Sequence, residues 1–64
     1  MIVRGDIQTL ANETLPALLQ QRYNLQQAPR FASETYNTLT YRMNEWTFNV
    51  QCKTLEEDLY EIKL

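Results

Sequence analysis

The chain has 64 residues with eight acidic and six basic side chains, no histidine, one cysteine and one glycine. A domain this short buries a smaller share of its unfolded surface than a large one does; it cannot form an intrachain disulfide, and without histidine the usual zinc-ligand sets cannot be assembled. The net charge of −2 lacks the dense basic footprint of a strongly electrostatic nucleic-acid binder.

Met1-Ile2-Val3-Arg4 is short and β-branched and stops at Gly5, as an edge strand or an ordered lead-in. Asp6 follows as a helix N-cap, its carboxylate suited to an orphan N–H of the first turn and to the helix dipole. Ile7, Leu10, Ala11, Leu15, Leu18 and Leu19 recur at the spacing of an amphipathic helix, with Gln8, Asn12, Glu13, Gln20 and Gln21 on the other faces. Pro16 removes the bond to the carbonyl of Asn12. Either the helix kinks there, or Thr14 caps a second helix. The apolar stripe stays in phase across the proline, which favours one bent helix ending near Tyr23-Asn24.

Leu25 to Ala32 shows no period, contains Pro29 and reads as a connection, with Phe31 as a core anchor. Leu39, Tyr41 and Met43 then alternate with Thr38, Thr40 and Arg42. The strongest pattern is the strict alternation from Trp46 to Lys53. It places Trp46, Phe48, Val50 and Cys52 toward the core and Thr47, Asn49, Gln51 and Lys53 outward, so a hairpin turning at Met43-Asn44-Glu45-Trp46 is expected. The rival is a helix capped by Ser33 with Tyr36, Leu39, Met43 and Trp46 on one face; the Thr and Tyr content favours strand. The tail is ambiguous in the same way, and we read a loop through Glu57 followed by a strand from about Asp58 to Lys63. The expected architecture is α+β, a single domain over 1–64: one N-terminal amphipathic helix packed on a small antiparallel sheet of two to three strands. The alternative is two helices followed by a C-terminal β-hairpin.

No motif of catalysis stands out. Arg4-Gly5-Asp6 matches an adhesion tripeptide, but Gly5-Asp6 has a structural task in starting the helix. Asn12-Glu13-Thr14 is formally a glycosylation sequon placed inside that helix. Cys52 falls on the inward strand face beside Trp46 and Phe48, a packing position lacking a base to activate its thiol. Glu56-Glu57-Asp58 lacks the alternate ligand spacing and the glycine of a calcium loop, and reads as a solvated acidic turn or a docking site for a basic partner. No catalytic, cofactor or metal residues are assigned, and no enzyme activity or small-molecule substrate is expected.

The remaining candidates are surfaces. Thr38, Thr40 and Arg42 would lie beside Thr47, Asn49, Gln51 and Lys53 on an outward polar sheet face. Arg22, Tyr23 and Arg30 flank the helix end, and Tyr and Arg are favoured at protein interfaces. Glu56, Glu57 and Asp58 form the acidic turn. No apolar run approaches the about 20 residues that span a bilayer, and the N-terminus lacks a signal-peptide pattern. A cytoplasmic protein without a membrane partner is expected, which the unpaired Cys52 fits. In general type the chain is similar to small phage-encoded inhibitors, antitoxins and accessory subunits, an analogy that transfers no residues. The reading is a non-catalytic binding module that docks on a larger protein or forms a homodimer, as inhibitor, adaptor or small subunit. The alternative is a nucleic-acid-associated or antitoxin-like regulator using a sheet face; it requires Arg22, Arg30, Arg42 and Lys53 to converge.

Overall fold

A β-branched start, a single glycine and a capping aspartate set the first turn of the chain. In the computed structural model, which describes residues 1–64, Ile2–Arg4 form strand β1. Gly5 takes φ +156° and donates its N–H to the Asp58 carbonyl at 2.8 Å. The Asp6 carboxylate accepts from the Thr9 N–H at 3.3 Å, as a helix N-cap should.

Helix α1 follows in three continuous stretches, α over Ile7–Thr9, π over Leu10–Thr14 and α over Leu15–Arg22. The wide turn is how the chain accommodates Pro16. In the π register the Leu15 N–H bonds to the Leu10 carbonyl, one residue further back than in an α-helix. The Ala11 carbonyl thereby loses its α-helical donor, Leu15, and its π-register donor would be Pro16, which has no N–H. That orphaned acceptor is met from the sheet: the buried Tyr41 hydroxyl donates to the Ala11 oxygen at 2.5 Å. Thr14 has helical backbone angles and makes no side-chain cap, so no second helix starts there, and the rival helix capped by Ser33 is excluded because Arg30–Thr35 and Thr38–Met43 are strands.

The helix ends at Tyr23. Asn24 turns left-handed at φ 54°, and the N–H groups of Leu25 and Asn24 bond back to Gln20 at 2.9 Å and to Gln21 at 3.4 Å, a Schellman closure made with asparagine instead of glycine. Strands β2 (Arg30–Thr35), β3 (Thr38–Met43), β4 (Trp46–Glu56) and β5 (Leu59–Lys63) then run as an antiparallel meander. β1 pairs with β5 on the far side, giving the order β1-β5-β4-β3-β2. Each two-residue connection contains one left-handed residue, Asn37, Asn44 or Asp58, residue types that tolerate that conformation.

The core lies between α1 and one sheet face. Leu10, Ala11, Leu15 and Leu19 meet Leu39, Tyr41, Val50, Cys52, Tyr60 and Ile62, with Val3, Ile7, Leu18 and Phe48 packed around them. At about 1.5–3 kcal/mol per fully buried large aliphatic or aromatic side chain, this layer contributes most of the favourable free energy. The sheet has five strands, not the two to three expected. The two additions are β1, expected as either an edge strand or a lead-in, and β2, which was missed within the region read partly as a connection. Its register slips between Phe31 and Ser33, so the extra residue Ala32 destroys the period-2 pattern. β4 also runs three residues past Lys53, to Glu56.

Two expected core residues are in fact largely outside. Trp46 is 67 % exposed: the helix terminus at Tyr23 stacks on Phe48 with ring centroids 5.2 Å apart, and Trp46 lies two residues beyond that cover. Phe31 is 41 % exposed. It meets Tyr41 edge-on at 5.8 Å, but no further strand shields its other side because β2 is the sheet edge.

Candidate functional site

The strand register defines the sheet face turned away from α1. Phe31 pairs with Tyr41 and Tyr41 with Phe48 toward the core, so Arg30, Arg42 and Thr47, which form the neighbouring row, point outward. The next rows are Ser33, Thr40 and Asn49, then Thr35, Thr38, Gln51 and Lys63. Toward the other edge come Lys53, Glu61 and Ile2, then Glu56, Leu59 and Arg4. The Thr40 hydroxyl donates to the Asn49 side-chain oxygen at 3.1 Å across β3 and β4.

This face therefore unites Thr38, Thr40, Arg42, Thr47, Asn49, Gln51 and Lys53, and it adds Arg30, Arg4 and Lys63. Five of the six cationic side chains lie on it, opposed only by Glu56 and Glu61. Arg4 and Lys63 went unnoticed as site residues although each sits next to a core residue, Val3 and Ile62, so strand parity alone sends them outward. Two open depressions mark the face. Arg30 and Arg42 line one of about 210 Å³ together with Gln27 and Asn44; Lys53 and Lys63 line another of about 300 Å³ together with Glu61, Thr38, Gln51 and Tyr36.

Arg22 and Tyr23 belong elsewhere, at the helix terminus. The Arg22 guanidinium carbon lies 5.9 Å from the centroid of the Tyr23 ring, within cation–π range. Tyr23, 48 % exposed, leans on Phe48, and Trp46 follows on the same strand face opposite Met43. An exposed aromatic end results, composed of Arg22, Tyr23, Met43, Trp46 and Phe48. The sequence signal for it was present but misleading: Trp46 continues the inward alternation, while its place beside the hairpin puts it past the end of the helix.

The acidic turn divides. Glu56 ends β4 on the outer face, whereas Glu57 and Asp58 form the turn, where the Asp58 carbonyl holds Gly5. Cys52 is buried, and its thiol titrates above the ordinary range because of burial and then the Glu34 charge. No group of three cysteine or carboxylate side chains is placed to hold a metal ion, and no helix is long and apolar enough to cross a membrane. No protein-family model matches the chain, and no curated protein or solved structure matches it either.

Proposed function

We propose that the protein is a non-catalytic binding module that docks on a larger protein through its aromatic end, acting as an inhibitor, adaptor or small accessory subunit. The observation that carries this reading is Trp46, 67 % exposed beside the half-exposed Tyr23. Leaving a tryptophan in water forgoes burial free energy, and Trp, Tyr and Arg are the residue types that dominate binding hot spots. Tyr23 and Phe48 are fixed by mutual packing and Arg22 rests against Tyr23, so the patch is partly ordered before contact, which lowers the entropic cost of binding.

The test is affinity capture from nuclease-treated lysate of the source organism with the wild type and the Trp46→Ser variant, paired with sedimentation of both. The wild type should retrieve a protein that the variant does not. If instead the wild type alone sediments as a dimer, the partner is a second copy of the chain. Identical capture and identical sedimentation for the two proteins would remove the proposal, because Trp46 lies outside the core cluster and the fold does not depend on it.

A further inference from the structure

The charges of this protein are segregated. The outer sheet face carries Arg4, Arg30, Arg42, Lys53 and Lys63 against Glu56 and Glu61, an excess of three positive charges on a molecule of net charge −2. The rest of the molecule holds Arg22 against six carboxylates. At physiological ionic strength the Debye length is about 8 Å. A ligand on the outer face, with the sheet between it and the helix layer, is therefore governed by the local excess more than by the net charge.

One pair on this face breaks a local rule. Arg30 and Arg42 are direct cross-strand partners, and like charges placed opposite each other destabilise a sheet. The neighbour on the far side of Arg42 is Thr47, which carries no compensating charge. Both arginines line the same depression of about 210 Å³, which also offers the Gln27 and Asn44 side chains. Two guanidinium forks and two amides around an open concavity suit a phosphate oxygen cluster, since arginine binds phosphate bidentately.

We infer that the outer sheet face binds the phosphodiester backbone of a nucleic-acid duplex, with the Arg30–Arg42 pair as its anchor. Thr38 lines the depression shared by Lys53 and Lys63, where the Glu61 carboxylate offsets one of the two charges and leaves Arg30–Arg42 the stronger anchor, and it lies four residues along β3 from Arg42. The two depressions are therefore about 14 Å apart at the rise of a strand, far enough to engage separate phosphates of one duplex. Ser33, Thr35, Thr38, Thr40, Thr47, Asn49 and Gln51 fill the face between and beside the cations, and hydroxyl and amide groups of this kind donate to phosphate and sugar oxygens. The outward rows carry no aromatic ring, and Tyr36, exposed in the β2–β3 turn at the Lys53–Lys63 depression, is a single ring, not the succession of stacking platforms with which proteins hold unpaired bases. It is built to follow a charged backbone without reading sequence. This inference uses the layer opposite the aromatic end and stands independently of the proposed protein docking.

The test is fluorescence anisotropy with a short labelled DNA duplex of mixed sequence, between about 50 and 200 mM salt. Binding should weaken with salt, with a logarithmic slope of about −3 to −4 if Arg30, Arg42, Lys53 and Lys63 each engage one phosphate. The Arg30→Gln/Arg42→Gln double variant should lose at least about tenfold in affinity and flatten the slope by about two, while its unfolding midpoint rises because the like-charge pair is gone. A Gln8→Glu/Gln21→Glu variant, which makes the same change in net charge on exposed helix positions, should bind within about twofold of the wild type, since net charge is then not the determinant. An absence of duplex binding at low salt would overturn the inference, as would equal losses in the two double variants. Retention of poly-glutamate without duplex binding would assign the face to an acidic polypeptide. Tighter binding of a single strand, lost in Trp46→Ser, would move the nucleic acid to the aromatic end; both results defeat the proposal.

Discussion

Tyr41 couples the two layers through a single hydroxyl. It donates to the Ala11 carbonyl, the acceptor that the π turn and Pro16 together leave without a helical donor. Tyr41→Phe keeps the ring and removes the donor, leaving a buried carbonyl unsatisfied, and should cost about 1–3 kcal/mol in urea unfolding. Pro16→Ala supplies an N–H that can reach the Ala11 oxygen in the π register. In that background the cost of Tyr41→Phe should shrink, giving a coupling of about 0.5–1 kcal/mol in a double-mutant cycle. Additive effects would mean that the new N–H does not take over the Ala11 carbonyl, and a Tyr41→Phe cost near zero would mean that the tyrosine contributes only through its ring.

At the level of elements, the edge strand β2 shows how the sheet stops. All six of its residues are exposed, and the open edge of such a strand is a template for pairing with another chain. Two devices blunt it: the bulge between Phe31 and Ser33, and Glu34, which pairs with Leu39 and so carries a carboxylate on the inward-facing side of the strand. Glu34→Val should make the protein self-associate, visible as sedimentation and light scattering that rise with concentration. If the variant remains monomeric at high concentration, the bulge alone protects the edge. These same two features hid the strand from the sequence, because an inserted residue and a charge at an inward position erase the alternation. β3, β4 and β5 were legible since Leu39–Tyr41, Phe48–Val50–Cys52 and Tyr60–Ile62 keep strict parity. The capping role of Asp6 and the apolar helical stripe were equally plain. The candidate surfaces were legible only in part: parity assigns a side chain to a face, but the length of the helix above that face decides whether Trp46 is covered.

For the whole molecule, titration reports the integrity of the packed layer. Burial, and then the charge of Cys52, hold the Tyr41 phenol above its ordinary value of 10.0. Burial likewise raises Tyr60, with the nearby charges of Asp58, Cys52, Asp6 and Glu34, and raises the Cys52 thiol above its ordinary value of 9.0. Each group is an acid whose neutral form is favoured in the fold. The folded state therefore binds more protons than the unfolded state in this range, and stability falls as pH rises. The contribution is fully present below about pH 8, where the unfolded thiol and phenols are still neutral, and is lost as pH climbs through the higher folded values. Urea midpoints measured at stepped pH should fall progressively from about pH 8 upward, and Tyr41→Phe should fall less steeply. A flat profile through pH 10 would show these groups to be solvated.

The pairing of β1 with β5 imposes a timetable on synthesis. The hairpins of the meander are local and can close as their residues leave the ribosome, whereas Ile2–Arg4 must wait for Leu59–Lys63, and the helix for Tyr60 and Ile62 to complete its core. Until then an apolar helix face stays open to whatever it meets. A nascent chain arrested before Leu59 emerges should thus be bound by chaperones and cut by proteases, and the transition to resistance should come sharply as Leu59–Lys63 emerge.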